Sequence, residues 1–379
     1  MLRTSTLAIL ALAPLSLLMA RGPSPIGGPE GGAPAPTGGV LKGGVEYGAV
    51  GWGRALEPAL AASAGSGKPV LLLFQEVPGC LTCRSFGSGP LSHPLLVEAA
   101  EELFEPVVIR NNVGGYEGAV RKRFDEPAWN NPVVRFLDSE GDDLIPRRAG
   151  VWQTGPLVER MVASLEAAQR PVPDWFRSFA NEVANGPTET AYFAMSCYWV
   201  GEGRLGALPG VVDTRAAWIG RREVVEVTFR PAQLPFAQLL EAATKASCGQ
   251  RVFATTDQQL AHARQQLGER AAVYTGNARS ASASDQLFYL HRSPLRFLPL
   301  TPTQARRVNA DLSPRSLLDA RRHLSPRQRV LLVEIEAALA REASALAGLR
   351  RPEAHAELGL HLRALRTRLE DTASTAEQG

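Results

Sequence analysis

Residues 68–83 constrain the fold of this chain more than any other stretch. Val70 to Phe74 is an unbroken apolar run, which favours a strand buried on both faces of a sheet. A Pro-Gly pair then ends the strand, and Cys80 and Cys83 follow at once. If a helix begins there, its free amide groups stabilise a thiolate on Cys80, and Cys83 lies on the same helical face. The pattern predicts a redox-active pair of cysteines.

Two other interpretations of Cys80 and Cys83 are half of a zinc site and a structural disulfide. Zinc normally takes four ligands, and the sequence has no second Cys-x-x-Cys or Cys/His pair to complete such a site. We therefore favour the redox pair, and we predict no bound metal and no cofactor.

Composition indicates an ordinary globular protein long enough for two domains. The chain has 379 residues, of which 21% are charged and 45% are hydrophobic. The formal net charge is +3 and the arginines are spread along the chain, so charge gives no reason to expect a nucleic-acid partner.

The N-terminus has the pattern of an export signal. Arg3 precedes an apolar stretch from Leu7 to Ala20, in which Leu18-Met19-Ala20 fits a cleavage site, and this pattern predicts a signal peptide or an uncleaved membrane anchor at residues 1–21. Residues 22–44 are rich in Gly and Pro and predict a flexible linker. The expected location is the periplasm or the outer face of the cytoplasmic membrane.

The first predicted domain, residues 45–172, alternates strands and helices, including a helix at 94–103. Such alternation predicts an α/β sheet with mixed strand pairing. This order, with Cys-x-x-Cys after the first central strand, resembles thioredoxin. In that family a cis-proline faces the active cysteines, and the resemblance implies this substrate-contacting role for Pro132. A helix at 175–184 is expected to connect this domain to the next.

A more specific resemblance rests on two motifs. Residues 77–80 (Val-Pro-Gly-Cys) and residues 126–132 (Glu-Pro-Ala-Trp-Asn-Asn-Pro) resemble an exported bacterial group of thioredoxin-like proteins and selenoproteins, the VPGUxxT type. Some members of that group carry selenocysteine at the position of Cys80. The resemblance implies that Cys80 is the attacking sulfur and Cys83 its resolving partner.

A second strand-to-helix junction holds Cys197. The apolar run Tyr192 to Met195 predicts a buried strand, and residues 199–208 predict a helix, so Cys197 lies where the pKa of a thiol is lowered. Glu202 follows among aromatic rings, where a buried carboxyl group keeps its proton and serves as a general acid. The alternative is a buried structural cysteine with a carboxylate near a helix start. The residues alone leave both open.

Residues 197–202 (Cys-Tyr-Trp-Val-Gly-Glu) resemble the Gly-Cys-Phe-Trp-x-x-Glu motif of peptide-methionine (S)-S-oxide reductase, type A. The resemblance implies an α/β sandwich around a mixed sheet for residues 187–312. It also implies that Cys197 attacks the sulfoxide sulfur and becomes a sulfenic acid, which resolving thiols and thioredoxin then reduce.

The same resemblance implies roles for the neighbouring residues of Cys197. Tyr198 and Trp199 would hold the substrate methyl group, and Glu202 would protonate the oxygen. Trp218 stands where the reductases have the tyrosine of a Gly-Tyr-x-Gly-Gly motif, and is expected to contact substrate.

Other parts of the reductase pattern are missing from this chain. The motifs His-Asp-Pro-Thr and Gln-Tyr-Arg-Ser are absent, and with them two tyrosines and an aspartate that position the sulfoxide. Aligning Val252-Phe253 with the strand that follows Gln-Tyr-Arg-Ser puts Cys248 at the place of that tyrosine. We therefore predict that Cys248 faces Cys197 and resolves it.

The tail, residues 313–379, is predicted to be helical. Ser313-Pro314 and Ser325-Pro326 are start signals for two helices, and a third is expected from Pro352. We expect a helical hairpin docked on the domains, and the alternative is a dimerising coil.

Together these patterns predict an exported redox enzyme that reduces methionine sulfoxide in proteins at Cys197. Electrons would pass from an upstream thiol reductant through Cys80 and Cys83 to a Cys197–Cys248 disulfide. One alternative is a thiol-disulfide relay that acts on protein disulfides and whose second domain binds a partner. Another is a soft-metal carrier that uses Cys80, Cys83 and one more sulfur.

Overall fold

The computed structural model describes residues 39–128, 132–314, 316–352 and 354–377, together with Pro36. The export signal at 1–21, most of the linker and the peptide bond that precedes Pro132 lie outside the described residues. Among the described residues, no helix has the length and apolar character needed to cross a membrane.

The first part of the chain folds around a three-stranded sheet of order β2-β1-β3. Its elements are, in chain order, α1 Leu56–Ser66, β1 Val70–Gln75, α2 Leu81–Ser88, α3 Pro94–Leu103, β2 Glu105–Arg110, α4 Gly115–Arg123, β3 Val133–Leu137 and α5 Thr154–Ala167. Strand β1 pairs in parallel with β2 and antiparallel with β3, so the predicted mixed pairing is confirmed.

Strand β1 is buried along its whole length, as its sequence predicted. Because successive side chains of a strand point to opposite faces, the strand contributes to two cores. Leu71 and Leu73 pack against α3 and α5. Val70, Leu72 and Phe74 pack on the other face against α1 and α4. Helices therefore cover both faces of this sheet.

Helix α6, Asp174–Val183, connects the first sheet to the second, and the predicted connecting helix is confirmed. Phe176 and Phe179 are fully buried in the core of the first sheet. On another side of the helix, the Asn181 amide donates to the carbonyl of Val211 at 3.2 Å.

The second part of the chain contains a six-stranded sheet of order β8-β7-β4-β6-β5-β9. Its elements are β4 Glu189–Ala194, α7 Tyr198–Gly206, β5 Val211–Ile219, β6 Arg222–Phe229, α8 Phe236–Lys245, β7 Arg251–Ala254, α9 Asp257–Leu267, β8 Ala271–Val273 and β9 Arg279–Ser280. Neighbouring strands are antiparallel except β7 and β8, which are parallel. The chain as described is therefore of the mixed α/β class.

The remaining helices share a core separate from those of the two sheets. They are α10 Phe288–His291, α11 Pro302–Asp311, α12 Pro326–Arg341 and α13 Leu358–Glu377. Fully buried residues of this core include Leu290, Val308, Ile335 and Leu365. A pair of 3₁₀ turns, Ala320–His323 and His355–Glu357, precedes α12 and α13.

Of the two helix starts predicted from Ser-Pro pairs in the tail, one is confirmed and the other is wrong. Ser325 caps α12, because its hydroxyl accepts from the Gln328 amide while the Gln328 side chain accepts from the Ser325 amide. Ser313 lies instead in a turn, where its carbonyl accepts from Ser316 at 2.8 Å. No α-helix occupies the described residues between α11 and Ala320.

Candidate functional site

The first pair of cysteines lies at the predicted strand-turn-helix junction. Cys80 is the N-cap of α2 and is exposed, while Cys83 lies in the first turn of that helix and is fully buried. The two sulfur atoms are 3.6 Å apart. All four cysteines of the chain are free thiols in this structure.

The environments of the two thiols shift their pKa values in opposite directions. The pKa of Cys80 is lowered, chiefly because the backbone N–H of Cys83 donates to its sulfur. Burial raises the pKa of Cys83 to about 12. At neutral pH, Cys80 is therefore the better source of a thiolate and Cys83 keeps its proton.

Polar side chains hold the loop between β1 and α2. Glu76 accepts from the Cys80 amide at 3.3 Å, and Glu46 accepts from the Gly79 amide at 3.1 Å. The Gln75 side chain donates to the Cys83 carbonyl at 3.1 Å. A Cβ atom on Gly79 would lie 2.6 Å from the Cys83 Cβ, so only glycine permits this close approach.

Pro132 lies at the end of the sheet from which the cysteine loop leaves. The next residue, Val133, pairs with Phe74 near the end of β1. The carbonyl of Pro132 accepts from the indole nitrogen of Trp152 at 3.1 Å, and Trp152 is partly exposed. The cis peptide bond expected at Pro132 stays a prediction.

Cys197 is the N-cap of α7 and follows strand β4. The next amide in the chain, that of Tyr198, donates to a carboxylate oxygen of Glu223 at 2.8 Å. Glu223 belongs to β6, which pairs with β4, and its own carbonyl accepts from the Met195 amide at 3.2 Å. A carboxylate therefore lies at the end of the helix that carries Cys197.

The structure brings Cys248 to the same site as Cys197. The Gln250 amide donates to the Ala194 carbonyl at 3.1 Å, which fixes the segment before β7 beside the end of β4. A cavity of about 420 Å³ lies there. Its lining residues are Met195, Ser196, Cys197, Val200, Arg204, Ser247, Cys248, Gln250, Tyr289, Ser313 and Pro314.

Cys248 is nearly fully buried, and burial raises the pKa of its thiol. The side chain of Arg204 acts in the opposite direction, because it donates to the sulfur and its charge favours the thiolate. Arg204 also donates to the carbonyl of Ala246, to which the Cys248 thiol donates at 3.4 Å. Arg204 therefore lies where it can promote ionisation of Cys248.

The predicted aromatic residues form a cluster beside the helix start. Trp199 stacks on Phe288 with ring centroids 3.7 Å apart, and its indole nitrogen donates to Asp285 at 3.1 Å. Tyr198 packs edge-on against Trp218 at 5.6 Å. Burial raises the pKa of Tyr198 to about 12. These aromatic side chains are not among the residues that line the cavity shared by Cys197 and Cys248.

Glu202 is buried, as expected, but it faces away from that cavity. One carboxyl oxygen accepts from the Leu287 amide at 2.8 Å, and the other has no hydrogen-bond partner. Burial raises the pKa of Glu202 to about 8, so this group holds its proton at neutral pH. The cavity is lined by Cys197, Val200 and Arg204, which lie on a different face of α7 from Glu202.

Sequence reasoning missed several residues of the site. Glu223, Arg204, Asp285 and Phe288 carry no motif of their own, and only the fold places them near Cys197 or its neighbours. The pairing of β6 with β4 brings Glu223 to the site, and no local motif marks that pairing.

A possible metal-binding set lies in the first part of the chain. Each of three residues offers one ligand atom, and these atoms lie within 4.8 Å of one another; the residues are Glu76, Cys80 and Cys83. Within the described ranges this is the one group of three or more such residues that meets that distance.

Comparison with known proteins gives limited similarity. No family model and no curated protein matches the chain. Fourteen solved chains match it, and one of them is methionine sulfoxide reductase A of Corynebacterium diphtheriae. That match has 21% sequence identity and a TM-score of 0.26, and it covers 29% of this chain and 77% of the reductase chain.

Proposed function

We propose that this protein is an oxidoreductase acting on sulfur groups, which reduces methionine (S)-sulfoxide in proteins at Cys197. The observation that carries the proposal is the cavity shared by Cys197 and Cys248. It unites a thiol at a helix start with a second, buried thiol, the combination that a nucleophile and its resolving partner require. The expected fold of this part is a methionine sulfoxide reductase A-like sandwich at residues 187–312.

In the first step the Cys197 thiolate attacks the sulfoxide sulfur. The sulfur–oxygen bond of the substrate breaks, methionine is released, and Cys197 becomes a sulfenic acid. The substrate sulfur is reduced by two electrons and the cysteine sulfur is oxidised by two. One proton is needed on the transferred oxygen.

We propose that water in the cavity supplies that proton, because Glu223 accepts a hydrogen bond at the start of α7 and has no proton to give. The hydrogen bond of 2.8 Å from the Tyr198 amide puts Glu223 at the same end of α7 as Cys197. Glu202 remains the residue implied by family resemblance, but its hydrogen bond to Leu287 favours a structural role in holding the segment that carries Phe288.

In the second step Cys248 attacks the sulfur of the sulfenic acid. A disulfide forms between Cys248 and Cys197, and the hydroxyl group leaves as water with the proton of the Cys248 thiol. The position of Arg204 beside the Cys248 sulfur supports this step, because it favours the attacking thiolate.

In the third step the first cysteine pair reduces the second. The Cys80 thiolate attacks the Cys197–Cys248 disulfide, and Cys83 then displaces the mixed disulfide, leaving Cys80 and Cys83 oxidised. The exposure of Cys80 and the burial of Cys83 support this order of attack. An upstream thiol reductant would regenerate Cys80 and Cys83.

The proposed organisation follows the sequence. Residues 45–172 form a thioredoxin-like domain, residues 187–312 the reductase-like domain and residues 313–379 a helical tail. Residues 1–21 export the chain or anchor it to the membrane, residues 22–44 are a linker, and the protein works in the periplasm or at the outer face of the cytoplasmic membrane.

A thiol-disulfide relay without sulfoxide chemistry is the second candidate. The observation that favours it is the separation of Tyr198, Trp199 and Trp218 from the residues that line the cavity. In this alternative, Cys80 exchanges disulfides with protein substrates and the second domain binds a partner.

Turnover of a peptide containing methionine (S)-sulfoxide distinguishes the two candidates. With dithiothreitol as reductant, the purified protein should release methionine, and Cys197→Ser should abolish turnover. Cys80→Ser should keep turnover, since dithiothreitol can reduce the second pair directly. Absence of turnover in the wild-type protein, with disulfide exchange still dependent on Cys80, would favour the relay.

A further inference from the structure

The three ligand atoms of Glu76, Cys80 and Cys83 form a set that the two cysteines alone do not provide. All three lie within 4.8 Å of one another. Glu76 is held in place because its carboxylate accepts from the Cys80 amide at 3.3 Å. We propose that the reduced protein binds one Zn²⁺ ion through Glu76, Cys80 and Cys83.

The separation of the sulfur atoms favours zinc with tetrahedral geometry. Two thiolates bound to one tetrahedral zinc ion lie about 3.8 Å apart, given a zinc–sulfur bond of about 2.3 Å. A linear arrangement, as for two-coordinate copper(I), would need about 4.6 Å with bonds of that length. The sulfur atoms of Cys80 and Cys83 are 3.6 Å apart, so they need to move by only a small amount to bind a tetrahedral zinc ion.

Burial divides the site into a protected side and an open side. Cys83 is fully buried, and the Gln75 side chain fixes its carbonyl at 3.1 Å. Cys80 is exposed, so the ion can enter from solvent. Three protein ligands leave a fourth position for water or for a thiol from another molecule, as in zinc sites with an open position.

Zinc binding would switch the thiol chemistry off without changing the oxidation state. Each thiol that is protonated in the free site releases its proton when it binds the ion, and no electron moves. Both sulfur atoms are then ligands, so Cys80 is not available to attack a disulfide. The oxidised protein cannot bind in this way, because its disulfide has no thiolate. The inference is independent of sulfoxide reduction at Cys197.

The test is a titration of the reduced full chain with Zn²⁺ alone, under anaerobic conditions, against a chromophoric zinc chelator. We expect one ion per chain, no binding by the oxidised protein, and loss of the site in Cys80→Ser and Cys83→Ser. The double variant Cys197→Ser/Cys248→Ser should bind like wild type. Disulfide exchange by Cys80 should stop on addition of one equivalent of zinc and return with excess chelator.

A matched pair of carboxylate variants tests the third ligand. Glu76→Gln keeps an acceptor for the Cys80 amide but removes the carboxylate, and should weaken zinc binding by about tenfold or more. Glu46→Gln changes a carboxylate that contacts the same loop but is not part of the set, and should leave the affinity unchanged. Equal affinity for zinc in wild type and Glu76→Gln would overturn the proposal. Zinc binding that persists in Cys80→Ser would also overturn it, as would loss of binding in the variant Cys197→Ser/Cys248→Ser.

Discussion

At the scale of single residues, burial makes the two thiols of the first pair differ in exposure and in acidity. Cys80 and Cys83 are three positions apart, yet one is exposed and the other has no contact with solvent. The amide of Cys83 stabilises charge on Cys80, while desolvation opposes charge on Cys83. The proposed order of attack, with Cys80 first and Cys83 second, follows from that difference.

Alkylation rates test the difference between Cys80 and Cys83. At pH 7 iodoacetamide should modify Cys80 faster than Cys83 by about a hundredfold or more, because the reactive species is the thiolate and Cys83 is also inaccessible. Mass spectrometry of the reduced protein after short exposure measures both rates. Similar rates at the two positions would contradict the account.

Glu202 makes a pH-dependent contribution to stability. Its pKa is raised to about 8 in the folded protein, above the value of 4.5 for an unperturbed glutamate. Between those values the folded state binds more protons than the unfolded state, so stability falls as pH rises. Above pH 8 this contribution is constant.

Replacement of Glu202 by glutamine should remove that dependence. The wild-type free energy of unfolding should fall by several kcal/mol between about pH 4.5 and pH 8 through this group, and Glu202→Gln should lack the decline. Glutamine can still accept from Leu287. Denaturant unfolding at several pH values measures the effect, with Glu241→Gln at an exposed helix position as control. Identical pH profiles for wild type and Glu202→Gln would refute it.

At the scale of elements, helix α7 separates two groups of residues. Cys197, Val200 and Arg204 face the cavity with Cys248, while Trp199 and Glu202 face the segment that leads into α10. We propose that the first group serves the thiol chemistry, whereas the second anchors the helix through hydrogen bonds to Asp285 and Leu287.

Arg204 is expected to control how fast Cys248 resolves Cys197. Arg204→Met removes the charge that favours the Cys248 thiolate, so disulfide formation after one equivalent of hydrogen peroxide should slow by about tenfold at pH 7. Its pH profile should shift to higher pH, and Arg204→Lys should restore part of the rate. The exposed Arg264→Met is the control. An unchanged pH profile in Arg204→Met would exclude this role.

The elements differ in how well the sequence predicts them. Strand β1 and helix α3 follow from local signals, namely an apolar run and a proline at the helix start. Ser-Pro signals are ambiguous, because the same residues begin helix α12 at Ser325 and a turn at Ser313. Helix α11 could have been predicted, since its start at Thr301 carries the same capping box as α12.

Long-range contacts could not be predicted from local patterns. The hydrogen bond between Glu223 and Tyr198 joins positions 25 residues apart, and that between Trp199 and Asp285 joins positions 86 apart. Motif spacing says nothing about such pairs. The position of Cys248 was predicted only because a resemblance supplied the register of β7.

At the scale of the whole molecule, a partly buried series of hydrogen bonds joins three parts of the protein. His93, just before α3, contacts His355 of the tail at 2.7 Å, and His355 contacts Glu182 of α6 at 2.6 Å. His93 also stacks on Phe179 of α6 at 4.6 Å. Glu182 accepts in addition from the Thr303 amide of α11 at 3.0 Å.

This junction should be sensitive to acid. Burial, and then the charge of His355, lower the pKa of His93 to about 4 from 6.5, so the unfolded state binds a proton more readily. Stability should therefore fall by up to about 3 kcal/mol as pH drops from 6.5 to 4. His93→Gln should lose that part of the pH dependence. A wild-type slope retained in His93→Gln would show that another group is responsible.

Mapping the disulfide formed in a single turnover tests the central claim most directly. The reduced variant Cys80→Ser/Cys83→Ser is mixed with one equivalent of a methionine (S)-sulfoxide peptide, without reductant, and digested for mass spectrometry. We predict one methionine produced per chain and a disulfide between Cys197 and Cys248. Unreduced sulfoxide with both thiols still free would contradict the proposed function.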